Sequence, residues 1–512
     1  MSIKTKKIIL FLGDVVILFF SLYLTLLVRY GANFTKAIWN AHFPVFAGLY
    51  FIWLLIFYIT NLYEISDAKI SLDYYQKILL GLVICGFIST AYFYFNPKIN
   101  IAPKTNLFLN LIIIAALFSI WRNLFSIILK STGKNNVLFA GYSETAYKFA
   151  QSVNNNPQMG YKIIAFAGTS DKASDKRLAS TNTTKSVETE HCSVLLNKSQ
   201  ETGQCPVSTR KGSDAASNER GGIKFLQPND DFKEFIRQNN INTIVINLQL
   251  RENRPQMESD SLKESDSNPA LRAALFQYLP LGVNFISYSD FYENLYSLVP
   301  TDAISHVWFI ENLTEGSKKA YDVLKRIFDI SAAIILGVIS VPFIPFIALA
   351  IKTSDNGPVF FKQIRTGKNG KNFLVVKFRS MIPDAEKDGA QWSKENDPRI
   401  TTIGKFLRKA RLDEIPQLIN VLRGEMSMVG PRPERPEFIE VLEKEIPFYK
   451  QRLLVKPGLT GWAQVNLRYG ASKECAMLKL KYDLYYIKHR SIVLDLKIIL
   501  KTIAIVFGFK GR

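Results

Sequence analysis

The apolar positions of this chain fall into two regimes: long uninterrupted runs crowd the first 130 residues, and short apolar segments alternating with polar ones follow. Ile8 to Val28 is a 21-residue run whose single charge is Asp14. Phe43 to Tyr63 and Ile78 to Phe95 carry no charge, and Leu107 to Trp121 resumes after Arg122 and continues to Leu129. Each spans, or nearly spans, the roughly 20 residues that a bilayer core requires of a helix. The pattern predicts four transmembrane helices over residues 1–130. Lys4, Lys6 and Lys7 precede the first run as in a signal peptide, but no small-residue cleavage site follows, so the run is expected to stay. Those lysines, with Lys130 and Lys134 after the fourth run, put both ends of the region on the cytoplasmic side.

From Asn136 the period shortens. Val137–Ala140, Ile163–Ala167, Ile244–Leu248 and Val283–Ile286 read as strands, with helices over Thr145–Val153 and Phe232–Gln238 between them. Strand alternating with helix predicts a parallel, Rossmann-like α/β domain over 131–317. Residues 170–221 are rich in Ser, Thr, Lys, Asn and Asp with almost no apolar clustering. They have nothing to bury against the entropy of ordering and are expected to be a disordered insertion. Arg251–Asn268 reads as a second polar loop.

A third unit, 318–512, opens with Lys325 and Arg326 and a fifth apolar run, 327–351, in which Asp329 is the only charge. Length alone fits a fifth crossing. Pro342 and Pro345, however, each remove a backbone donor and favour a break. A re-entrant helix that enters and leaves by one face also keeps the basic remainder on the cytoplasmic side, with Ser340 capping a backbone group at the break. The rest of the unit, basic and rich in Gly and Pro, predicts mostly short helices rather than a large sheet.

Composition sharpens this picture. The formal charge is +20, and residues 318–512 hold 35 basic against 19 acidic residues, so +16 of it lies in the third unit. Mean hydropathy is +0.05 although 21% of residues are charged. A fully soluble enzyme, a disordered chain and a disulfide-rich secreted domain are excluded. The four cysteines are too scattered for a disulfide framework and have no CxxC spacing for zinc.

The basic residues gather with Gly and Pro in four places: Asn356-Gly357-Pro358 to Lys377-Phe378-Arg379-Ser380-Met381, then Arg408 to Gln417, Gly430-Pro431-Arg432-Pro433, and Pro457-Gly458-Leu459-Thr460-Gly461-Trp462 with Arg468. Among them stands one adjacent acidic pair, Asp413-Glu414. Guanidinium groups bind phosphate oxygens bidentately, and paired acids hold a divalent cation or attack phosphorus. Such a set suits a diphosphate ester. Adjacent helical residues point about 100° apart, so one carboxylate can face substrate while the other orients it or binds metal. An isolated Asp-Glu pair is ordinarily a solvated helix face; Pro416 places this one in the first turn of a helix or at a break, where amide donors attract anions.

Lys325 to Met381, Leu412-Asp413-Glu414-Ile415-Pro416-Gln417, Gly430-Pro431-Arg432-Pro433 and Pro457 to Val465, in this order, resemble the bacterial sugar transferase family, the monotopic phosphoglycosyl transferases. The preceding four spans and Rossmann-like domain resemble its large branch, which initiates exopolysaccharide or O-antigen synthesis. The resemblance implies transfer of a sugar 1-phosphate from a UDP-sugar to polyprenyl (undecaprenyl) phosphate, with release of UMP and with Mg²⁺, at the cytoplasmic face of the bacterial inner membrane. It implies that the fifth run is re-entrant, with Pro342 as the helix-breaking proline. Position by position, Asp413 would be the nucleophile that forms an aspartyl phosphosugar. Glu414, with Asp413, would hold the metal, and Lys377, Arg379, Arg408, Arg432 and Arg468 would neutralise the diphosphate or the lipid phosphate. Two positions depart from the family pattern: Val341 separates Ser340 from Pro342, and Leu467 replaces a frequent glycine before Arg468. Membrane lipid and a homodimer are the further partners implied, the Rossmann-like domain organising the dimer or binding a regulatory nucleotide. Nucleic acid is not expected, because the basic residues adjoin an apolar run rather than an aromatic-interleaved patch.

Two other readings use the same features. A membrane-anchored nucleotide-sugar dehydratase also joins spans to a Rossmann domain, and Tyr321 and Lys325 have the spacing of its Tyr-Lys pair. It needs a glycine-rich turn for NAD, whereas Gly141-Tyr142-Ser143-Glu144-Thr145-Ala146 keeps one glycine. A non-catalytic polysaccharide-assembly scaffold would explain the basic surface but leaves Asp413-Glu414 without a purpose.

Overall fold

The computed structural model describes residues 3–60, 62–63, 72–96, 103–131, 135–156, 159–167, 219–220, 222–226, 232–247, 278–313, 318–355, 357–383, 385, 389, 397–467, 470 and 472–507. The expected insertion 170–221 lies outside them except for Glu219-Arg220; the loop Arg251–Asn268 and Arg468 also lie outside. The described residues divide into two packed units, the first ending at Ser287 and the second beginning at Tyr288.

In the first unit, helices Ile3–Tyr30, Lys36–Ile59, Leu72–Phe95 and Pro103–Ser131 coincide with the four N-terminal apolar runs and are long and apolar enough to cross a membrane. Leu18, Leu22, Phe46, Trp53, Phe57 and Phe118 form their core. The lone charges of the first and fourth runs meet there: Arg122 donates to Asp14 at 2.6 Å, so neither is buried as an isolated ion. Asn110 likewise accepts from Tyr50 at 3.0 Å, and Ser89 from Trp53 at 2.9 Å.

A six-stranded sheet follows, built from β1 (Asn135–Ala140), β2 (Tyr161–Ala167), β3 (Glu219–Arg220), β4 (Ile223–Leu226), β5 (Ile241–Ile246) and β6 (Asn284–Ser287). Its order is β3-β4-β2-β1-β5-β6, parallel except for β3, which pairs antiparallel with β4. The strand order reverses between β1 and β5, where a Rossmann-type sheet takes its ligand. Here that crevice is bridged by protein: Asn247, just after β5, donates to Ser143 at 3.1 Å. Tyr142 packs against Tyr147, Phe166 and Phe225.

Helices Tyr288–Tyr296 and His306–Asn312, which precede the expected start of the third unit at residue 318, pack on the C-terminal unit. Val299 and Trp308 enter its core with Val421, Met426, Leu480 and Leu484. Trp462 donates to the Ser297 carbonyl at 3.1 Å, and Lys488 pairs with Asp290 and Glu293 at 3.0 Å. No period in 288–317 distinguishes these helices from the preceding domain; only the partners they bury against do.

The fifth run forms helix Lys319–Ser340, one 3₁₀ turn at Val341–Phe343, and helix Ile344–Asp355. Ser340, Val341 and Ile344 all keep helical dihedrals. Ser340 donates to the Leu336 carbonyl at 2.6 Å, four residues back, and makes no capping bond to the 3₁₀ turn, which corrects the expected cap. Pro342 lacks the donor that the Val338 carbonyl would otherwise receive, and Ser340 lies on the wrong turn to replace it. Beyond this segment β7 (Phe360–Thr366) and β8 (Asn372–Phe378) form an antiparallel hairpin. β9 (Ser427–Val429) and β10 (Gly458–Thr460) form a short parallel pair among helices.

Candidate active site

The acidic pair sits where one helix stops and another starts. Thr401 caps helix Thr402–Lys409 by accepting from Gly404 N at 2.9 Å. Arg411 then takes a left-handed conformation (φ 58°), and the chain turns into a 3₁₀ segment, Leu412–Gln417, that leads into helix Leu418–Arg423. Asp413 and Glu414 occupy the first turn of that segment and are both buried.

Two short motifs lock together to present Arg432. Gly430 N donates to Thr460 O, and Gly458 N to Pro431 O, each at 2.9 Å. A side-chain carbon on Gly458 would strike Gly430, and one on Gly461 would strike the Gly430 carbonyl. The glycines are needed for close backbone approach and not for positive φ. The Arg432 carbonyl accepts from buried Arg452 at 3.1 Å, and Arg452 in turn lies 2.8 Å from Asp483. Arg432 donates to Glu414 Oε1 at 2.8 Å, and Arg411 lies 3.7 Å from Glu414 Oε2.

These groups face a cavity of about 730 Å³ whose wall also carries Lys377, Arg379 and Arg408. Lys377 comes from β8, opposite Phe361 of β7. Arg408 donates through Nε to Ser380 at 2.7 Å, while Arg379 pairs with Asp355 rather than with the acids. Of the expected site residues, Asp413, Glu414, Lys377, Arg379, Arg408 and Arg432 therefore share one cavity. Sequence reasoning did not assign Arg365, Arg399, Arg411 or Lys479, which also line it. Arg411 was legible as the i, i+3 partner of Glu414. Arg365 was legible from the alternation of β7, which puts it on the face of Phe361 and Gln363. Arg399 and Lys479 have no local signature.

The surroundings separate the two acids. Burial raises Asp413, and the charge of Glu414 adds to this, against Lys377, Arg408 and Arg432, so its pKa stands above the usual carboxylate range. Burial acts on Glu414 in the same sense but is outweighed by Arg432, Arg411 and Lys377, which hold it below that range. A proton reaching the pair goes to Asp413. Burial, with Arg432 beside it, lowers Lys377 to about 8. Asp413 Oδ1 is buried with no hydrogen-bond partner among the described residues. The arrangement is a buried carboxylate with an unused oxygen, a neighbour held ionised, and several cations able to receive phosphate oxygens.

The profile of the bacterial sugar transferase family matches residues 320–509. A UDP-N-acetylgalactosamine-undecaprenyl-phosphate N-acetylgalactosaminephosphotransferase of Aeromonas hydrophila is 45% identical over 193 residues, 38% of this chain and 46% of the relative. A UDP-glucose:undecaprenyl-phosphate glucose-1-phosphate transferase of Xanthomonas campestris is 37% identical over 302 residues, 58% of this chain and 59% of the relative. The matches thus span about half the length of these two relatives. The exopolysaccharide production protein PSS of Rhizobium leguminosarum is 44% identical over 187 residues, which are 35% of this chain and 94% of the relative.

Proposed function

Because the chain belongs to the bacterial sugar transferase family, we propose that it transfers a sugar 1-phosphate from a UDP-sugar to polyprenyl phosphate, in its undecaprenyl form, and releases UMP. The observation that carries this reading is the buried Asp413-Glu414 pair facing a cation-lined cavity of about 730 Å³. A carboxylate oxygen of Asp413 attacks the sugar-proximal phosphorus. The bond from that phosphorus to the bridging oxygen breaks, and UMP leaves with the electron pair. An oxygen of the lipid phosphate then attacks the same phosphorus and expels the carboxylate, giving polyprenyl diphosphosugar. Lys377, Arg411 and Arg432 offset the repulsion between attacking carboxylate and diphosphate. Tyr321 and Lys325 both donate to Asp495, each at 2.8 Å, and lie on helix Lys319–Ser340 rather than in the sheet domain, which weighs against the dehydratase alternative. The relatives act on different sugars by their names, so the test is a panel of UDP-sugars offered with polyprenyl phosphate. UMP release and a lipid-extractable sugar are expected for at least one; neither product from any donor would sink the proposal.

Magnesium belongs to the same proposal. Among the described residues no three His, Cys, Asp or Glu side chains form a metal cage. Mg²⁺ commonly takes one or two carboxylates and completes its shell with water and substrate phosphate. Asp413, with its unpartnered oxygen, and Glu414 fit that need and would hold it. Once bound it would neutralise charge on the diphosphate.

The reading has a pH signature. In kcat/KM for the UDP-sugar, followed by UMP release, activity falls on acidification as Asp413 takes its proton, above the pH at which an ordinary carboxylate titrates. It falls again through about pH 8 as Lys377 loses its charge. Lys377→Arg should remove the alkaline limb, since guanidinium does not titrate there; an unchanged limb would assign it to another group.

We further place the four N-terminal helices across the inner membrane, the active site on the cytoplasmic face, and the segment Lys319–Asp355 as re-entrant. The support is that both ends of the segment are tied to one domain. Arg326 donates to the Val421 and Leu422 carbonyls at 2.7 and 2.8 Å, and Asp329 accepts from Ser427 and Met428 at 3.0 Å. At the other end Ile347 and Ile351 pack with Phe378 and Leu407. A crossing helix would deliver its ends to opposite faces, about 30 Å apart. A cysteine placed at residue 512 should be labelled by an impermeant maleimide only after permeabilisation; labelling in intact cells would make the segment a crossing.

A further inference from the structure

Arg379 stands apart from the cations that serve the acidic pair. It is 6% exposed, and its Nη2 donates to Asp355 Oδ1, at the last residue of helix Ile344–Asp355. Its Nε and Nη1 are buried with no hydrogen-bond partner among the described residues, and so is Asp355 Oδ2. Leaving a buried donor unfilled is unfavourable, yet the fold keeps a desolvated guanidinium with unused donors at the cavity wall. Gly357 permits it: a side-chain carbon there would run into the guanidinium.

The position of this cation bears on which anion it receives. Asp355 ends the apolar segment whose middle leaves Ile335, Val338, Phe343 and Phe346 exposed. Arg379 therefore lies where a membrane-seeking surface gives way to the cavity, the place at which the headgroup of a lipid would enter. The diphosphate donor has Lys377, Arg411 and Arg432, which stand around the acidic pair on the same cavity wall. A phosphate monoester carries about −1.5 to −2 charges and three acceptor oxygens, and can fill the donors that Asp355 leaves unused.

We propose that Arg379 binds the phosphate of the lipid acceptor, and that Asp355 is a positioning residue that holds the guanidinium with Nε and Nη1 available to it. The proposal rests on the transfer reaction given above and sorts its two anionic substrates between two sets of cations in one cavity.

The test uses the full chain in lipid nanodiscs, with KM measured separately for the UDP-sugar and for polyprenyl phosphate. Arg379→Gln should raise the acceptor KM at least tenfold more than the donor KM. Asp355→Asn, which keeps size and removes the charge, should shift the same ratio about three- to tenfold. Thermal midpoints check that both variants fold; if Arg379→Gln does not, Asp355→Asn decides. Free polyprenol, which lacks the phosphate, should compete equally well in wild type and variants. Equal rises in both KM values, a larger rise for the donor, no change, or unequal competition by the alcohol would each overturn the assignment. Wild-type protein that releases no UMP from any donor would instead overturn the transfer reaction, and that is read first.

Discussion

Asp413→Asn is expected to lower UMP release from UDP-sugar at least 10³-fold, about 4 kcal/mol of barrier, and to lower polyprenyl diphosphosugar formation equally. The amide keeps the shape of the side chain and loses the charge and the nucleophilic oxygen. The site makes this a test of covalent chemistry in particular, because Asp413 Oδ1 is buried without a hydrogen-bond partner among the described residues. Among the described residues Asp413 has no ion pair like the one Arg432 makes with Glu414 for the substitution to break. Mass spectrometry of wild-type enzyme quenched after UDP-sugar, without acceptor, should show a phosphosugar adduct on Asp413, and two-substrate kinetics should be ping-pong. An active Asp413→Asn enzyme, or an obligatory ternary complex with no adduct, would require direct attack by the lipid phosphate.

Gly458→Ala is expected to cost about 3 kcal/mol of stability, near the upper end for overpacking, since the added carbon meets the Gly430 backbone and not a side chain that can rotate away. For a domain of this size that is a fall in Tm of roughly 6–12 °C. The β9–β10 pair carries Arg432 towards Glu414, so activity below the melting range should fall as well. Gly337→Ala is the control: nothing lies within 4 Å of the added carbon, and Tm should move by less than about 2 °C. Equal midpoints in the two variants would mean that the two motifs do not depend on their close approach.

Much of this was readable in the order of residues. Runs of about 20 apolar residues announce their own helices, and the β1 and β2 strands announce themselves by consecutive buried side chains. The acidic pair was legible too, since Pro416 and the surrounding Gly and Pro mark a rigid turn, and the structure has a 3₁₀ turn there. The cap at Ser340 was misjudged because a hydroxyl in a helix reaches the carbonyl four residues back more readily than one freed further along. Helices at 288–312 look alike in sequence whichever unit they cover, and only their buried partners show that they pack with the C-terminal one.

By itself the sequence determined where the chain is apolar enough for a membrane, where it alternates strand with helix, and which acids and cations stand in rigid turns. Each of these is written within a few consecutive residues, by period, by glycine and proline, or by adjacent charge. Only the tertiary structure decided what those groups do to one another. It brought Arg432 to Glu414 and Arg379 to Asp355, and it gave Asp413 and Glu414, adjacent and alike in sequence, opposite pKa shifts. Burial and the distance to a charge set those outcomes, and the partners are 18 and 24 residues apart along the chain, beyond any local period.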